Sequence, residues 1–199
     1  MIKTDKIHLD ALKEVGNIGA GQAASGLSEF IEEKLIPAPT QASILLRDNV
    51  ADWLDTKGTV VMACFHLLSE TSGRLLLVIP TDDVPSLLGY NRQLDHLITE
   101  DDLQYLKKIT TVIISDYTTA ISTFLDIVLV AYSPTLMVES HENLENILTQ
   151  NITENEELLL FKTVFNRSPL LTSWTQFWLI FEHETLITML KAVDGLAVL

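Results

Sequence analysis

The chain has 199 residues, 47% of them hydrophobic and 20% charged, with a mean hydropathy of +0.26. That excludes a disordered polymer and gives room for one sizeable domain or two small ones sharing a core. A net charge of −14 and a pI near 4.6 repel phosphate backbones and exclude nucleic acid as a natural partner. No apolar run approaches the ~20 residues of a membrane span, and the opening MIKTDKIHLD lacks the apolar core of a secretion signal. The single cysteine, Cys64 in VVMACFHLL, permits no internal disulfide, reads as a small core residue and fits a reducing cytoplasm.

Helical periodicity begins at about Ile7 and runs past Phe30, with Leu9, Leu12, Val15, Leu27 and Phe30 on one side. Asp10, Glu14, Asn17 and Gly21 follow steps of four, three and four, which places them within an arc of about 60° on the opposite face. Two carboxylates and an amide therefore face outward together, above a glycine that leaves room for another molecule's backbone. Such a stripe suits a water and a phosphoryl group brought by a partner; spacing alone favours an ordinary solvated helix face. Gly16, Gly19, Ala23 and Gly26 form a small-residue track on the core side. Glycine in a helix interior costs up to ~1 kcal/mol, so this track needs a packing reason. Gly19-Ala-Gly21-Gln-Ala-Ala24 matches the dinucleotide-binding fingerprint, but its glycines lie mid-helix, where the N–H groups that would meet a pyrophosphate are already bonded.

A Pro-containing connection (Pro37, Pro39) follows. Thr59–Ser69, a turn at Glu70-Thr71-Ser72-Gly73 and Arg74–Ile79 then read as a hairpin that runs into the short helix DDVPSLLG. From here the chain repeats itself. Shifting by 94 residues carries Leu9, Leu12, Val15, Ile18, Leu27 and Phe30 onto Leu103, Leu106, Ile109, Val112, Ile121 and Phe124. A second Pro-containing connection (Pro134) leads to strands at Leu158–Phe165 and Thr175–Phe181 and to the helix HETLITMLKAV. Between the connection and these strands, Glu139 to Glu157 carries six Glu and no Lys or Arg. It reads as a solvated loop with a short helix, or as a docking surface for a basic partner.

The expected fold is α+β: a pseudo-two-fold tandem duplication, halves at about 1–95 and 96–199, in one domain with two long helices on a continuous, mainly antiparallel sheet. The duplication fails where it is most informative. Asp10, Glu14 and Asn17 fall on Gln104, Lys108 and Thr111, so the scaffold does not require the acidic stripe. Elsewhere the five histidines (His8, His66, His96, His141, His183) show no metal spacing, and no P-loop, G-x-S-x-G or Ser/His/Asp pattern is present. Trp174 and Trp178 read as core or sheet-edge anchors.

LDALKEVGNIGAGQAASGLS resembles the first active-site helix of the CheC/CheX/FliY phosphatase family of bacterial and archaeal chemotaxis, with CheC the nearest in length and duplicated organisation. The family's pattern of Asp or Ser, Glu, Asn and a distant Pro falls on Asp10, Glu14, Asn17 and Pro39, with Pro37 as the alternative. The resemblance implies hydrolysis of the aspartyl phosphate of CheY-like receiver domains. Glu14 and Asn17 would be the essential pair, and Asp10, Gly21 and Pro39 would support docking. Mg²⁺ would come from the receiver and no cofactor from this chain. Family members often carry the motif on both helices; Gln104, Lys108 and Thr111 here imply a degenerate second site and one active site. A non-catalytic module docking to a receiver or to CheD is the alternative. Unpaired sheet edges leave monomer and homodimer both open.

Overall fold

The computed structural model describes residues 6–54, 58–69, 73–89, 98–140, 143, 146–147, 156–167 and 172–196. In chain order its elements are α1 (Lys6–Ile31), β1 (Leu35–Pro37), β2 (Gln41–Leu46), α2 (Val50–Leu54), β3 (Thr59–Ser69), β4 (Gly73–Pro80), α3 (Val84–Leu87), α4 (Glu100–Leu125), β5 (Leu129–Ser140), β6 (Glu157–Arg167), β7 (Thr172–Phe181) and α5 (His183–Leu196). Turn residues 70–72 and most of the Glu-rich stretch lie outside the described residues.

One antiparallel seven-stranded sheet takes up both halves, in the order β1-β6-β7-β4-β3-β5, with β2 continuing β1 along β6. This order is a palindrome under the duplication. The β1–β2 pair corresponds to β5, β6 to β3 and β7 to β4, so a pseudo-two-fold axis passes between β4 and β7, which pair from Leu75↔Phe181 to Val78↔Trp178.

The 94-residue offset is kept at fine grain. α1 and α4 are both 26 residues long, and each of the eight buried positions of α1 lands on a buried position of α4. Each helix ends on a left-handed residue, Glu32 (φ 57°) and Asp126 (φ 53°). The following N–H bonds back five residues, Glu33 to Ser28 and Ile127 to Ser122, both at 3.1 Å. The start of α4 carries a capping box, Thr99 with Asp102, that satisfies its first N–H groups.

The two proline connections are a correction. Pro37 closes strand β1 and Pro134 lies inside strand β5. Both strands are sheet edges, where a residue without an N–H costs no ladder bond. Both are also bulged at equivalent places. Residues 38–40 oppose Thr163 and Val164 of β6, and residues 133–134 oppose Phe65 of β3.

α1, α4 and α5 cover one face of the sheet over a core that includes Leu12, Leu27, Ile113, Phe161, Phe165 and Leu179. A second buried cluster covers the other face, where Val50 and Leu54 of α2 meet Val60, Met62, Leu158, Trp178 and Ile180. Burial on both faces explains why β6 and β7 read as near-continuous apolar runs. Cys64 is half-buried against this second cluster, and burial raises its thiol pKa, the Arg74 charge partly opposing. Trp178 is fully buried, as expected of a core anchor, with the Lys162 Nζ 5.2 Å from its ring centroid. No described helix is long and apolar enough to cross a membrane.

Candidate functional site

α1 presents Asp10 and Glu14 to solvent and Asn17 and Gly21 half-exposed, while Leu12, Val15 and Leu27 are buried behind them. Phe30 departs from the expected inward set: it is 38% exposed and packs on Tyr105 of α4, ring centroids 5.9 Å apart. The dinucleotide-like glycines sit inside α1, away from any helix start.

The Asn17 carbonyl oxygen accepts the Thr40 backbone N–H at 2.8 Å. Because that donor is unambiguous, the amide orientation follows: oxygen toward the β1–β2 bulge, –NH₂ away from it. The bulge therefore turns the residue after Pro39 onto the stripe, which accounts for a proline about twenty residues beyond the Asn. Asn17 keeps a second oxygen lone pair and both N–H donors, none bonded among the described residues. Glu14, one turn earlier, makes no hydrogen bond or ion pair among the described residues. Asp10 pairs with Lys13 Nζ at 3.0 Å and is not directed at Glu14.

Beneath Asn17 lies a polar cluster that the sequence did not reveal. Thr40 is 5% exposed, its hydroxyl 3.5 Å from that of the fully buried Thr163 on β6. Tyr117 of α4, also fully buried, donates its hydroxyl to the Gly16 carbonyl at 2.9 Å. Burial drives the Tyr117 pKa far above its ordinary value, so it acts only as a neutral hydroxyl.

These contacts explain the glycine track. A Cβ on Gly16 would stand 2.8 Å from the Thr40 methyl, and one on Gly19 would stand 2.5 Å from the Tyr117 ring. A Cβ on Gly26 would overlap the Asp116 carboxylate of α4. Gly21 is different, since a Cβ there meets nothing within 4 Å. Its reason is not in the packing of this chain.

The second half does not rebuild the arrangement. Gln104, Lys108 and Thr111 are exposed on the matching face of α4, and the Thr111 hydroxyl folds back onto the Lys107 carbonyl at 2.6 Å. A groove of about 580 Å³ runs between the helices, lined by Ile18, Gln22, Asp116, Thr119 and Phe124 among others. Asp116 there has a raised pKa, from desolvation first and the nearby Glu29 second. Among the described residues no three His, Cys, Asp or Glu side chains converge as a metal site.

A model of the CheC-like family matches residues 7–39, the segment that carries Asp10, Glu14, Asn17, Gly21 and Pro39. The whole fold is similar to that of FliY from Thermotoga maritima, with a TM-score of 0.79, 15% identity and coverage of 98% of this chain and 99% of that one. The signature segment is thus similar to the CheC-like family, and the whole fold to that of FliY. Similar folds occur in a chain of the FliG–FliM complex from H. pylori, with a TM-score of 0.65, 13% identity and coverage of 94% and 100%. The FliM middle domain from H. pylori matches with a TM-score of 0.62, 14% identity and coverage of 95% and 99%. The chain therefore shares one architecture with FliY and FliM, and residues 7–39 are the segment that the CheC-like family model matches.

Proposed function

We propose that this chain is a phosphatase for the aspartyl phosphate of a CheY-like receiver domain, acting through α1 inserted across the interface. The supporting observation is the clamped amide: Asn17 is fixed by the Thr40 N–H with hydrogen-bonding capacity left outward, and Glu14 stands unengaged one turn away. A water held on the Asn17 amide is aimed at phosphorus. Its attack breaks the bond between phosphorus and the aspartyl oxygen, leaving a carboxylate and inorganic phosphate. The leaving carboxylate and the metaphosphate-like transition state need positioning more than a strong base. Glu14 accordingly pairs with the receiver's active-site Lys. Mg²⁺ held by the receiver supplies the charge neutralisation. The demand is modest, since a 100-fold acceleration takes ~2.7 kcal/mol.

A second reading is a docking module without catalysis, aimed at a receiver or at CheD. It is favoured by the exchange of the second stripe for Gln104, Lys108 and Thr111 and by the FliM-like fold, which in the FliG–FliM complex docks another protein. The decay of a ³²P-labelled CheY-like receiver, with pull-down of the same receiver, separates the two. Wild type should speed the decay, Asn17→Ala should return it to the receiver's own rate, and Glu14→Gln should lower it, with binding retained by Asn17→Ala. Unchanged decay together with confirmed binding would select the docking module.

A further inference from the structure

Resting on the phosphatase reading, we infer that Tyr117 and Thr40 are positioning residues for Asn17, so that the half which lost the motif still serves the site on the other. The argument is geometric. The Gly16 carbonyl and the Asn17 nitrogen belong to one planar peptide unit, and the Tyr117 hydroxyl grips that unit from the core side at 2.9 Å. The Thr40 N–H grips the other end of the residue, the side-chain oxygen, at 2.8 Å. Asn17 is thus held at its backbone from α4 and at its amide from the β1–β2 bulge. On the Thr40 side the hydroxyl stands 3.5 Å from that of the fully buried Thr163. Gly16 and Gly19 are the sockets that admit Thr40 and the Tyr117 ring.

The duplication argues that this is specific to the site. Position 117 corresponds to Ala23 under the 94-residue offset, and no tyrosine occupies the matching place on α1. The Gly16 carbonyl lies within α1, whose helical ladder already uses one of its lone pairs, so folding does not require the extra bond. What the bond adds is a fixed orientation for the next residue. Group placement of this kind governs rate, and misplacement by an ångström costs up to about 100-fold.

Tyr117→Phe keeps the ring in the Gly19 socket and removes only the hydroxyl. With a CheY-like receiver phosphorylated by acetyl phosphate, kcat should fall about tenfold while KM for the receiver stays within about twofold. Thr163→Val, which deletes the hydroxyl beside that of Thr40, should give a smaller fall in the same direction and serves if Tyr117→Phe folds poorly. NMR relaxation of the Asn17 side-chain amide gives an arm independent of catalysis. That amide should be rigid in the wild type and mobile on the ps–ns scale in Tyr117→Phe. An amide equally rigid in the variant, or a loss confined to KM, overturns the inference. If the wild type fails to speed receiver decay, the phosphatase reading falls, and the NMR comparison alone still decides the positioning role.

Discussion

At the scale of single residues, Gly21 separates two reasons for glycine in a helix. Gly16 and Gly19 face the Thr40 methyl and the Tyr117 ring, which leave no room for a Cβ, and Gly26 faces the Asp116 carboxylate, whereas Gly21 faces open space. An exposed mid-helix glycine costs about 0.8–1 kcal/mol relative to alanine. Gly21→Ala should therefore raise stability by roughly that amount in a urea titration, while weakening receiver binding at least severalfold. Stabilisation without loss of binding would remove Gly21 from the interface. The outward stripe was legible in the sequence because helical periodicity fixes which side chains share a face. The partners of Asn17 were not. Thr40 acts through a backbone N–H, which has no sequence signature, and Tyr117 comes from 100 residues further along.

At the scale of elements, the helix pair α1–α4 is built on bulk exchanged for space. The Tyr117 ring lies where Gly19 has no side chain, and Asp116 lies over Gly26. Gly19→Ala puts a methyl into a ring that Phe161, 6.3 Å away, also confines. The expected outcome is a destabilisation of about 1–3 kcal/mol in spite of alanine's better helix propensity, together with lost activity because Tyr117 is displaced. Matched melts of Gly19→Ala and Gly21→Ala check the contrast, which should show opposite signs. The central strands were readable from their apolar runs and the hairpin turn. The edge strands were not, because Pro37, Pro39 and Pro134 signal a break, and the tolerance of a sheet edge for proline becomes visible only once the sheet order is known. α2, five residues long, is too short for any periodicity. It caps a second core that the sequence does not announce.

At the scale of the molecule, charge opposes the proposed partnership. This chain carries −14, and a receiver's phosphorylation site is acid-rich, so long-range repulsion should slow encounter. The association rate, measured by stopped-flow fluorescence, should rise as salt goes from about 20 to 150 mM and the Debye length shortens. A rate that only falls with salt would point to a basic partner. The duplication, in contrast, was legible in the long helices: an offset read from apolar residues alone reproduced helix lengths, buried positions and the bonds at the helix ends. Such agreement arises because both halves must bury the same face against the same sheet.

The asymmetry at Gly19 and Tyr117 has an evolutionary consequence. Under the pseudo-two-fold axis, Gly19 corresponds to Ile113 and Ala23 to Tyr117, so at both positions α1 carries the small residue and α4 the large one. Two identical subunits inherit every substitution in duplicate and would have to carry the tyrosine and its cavity on both sides. Covalent fusion lets each copy inherit alone. One helix can then specialise in chemistry while its twin becomes the tool that holds it steady.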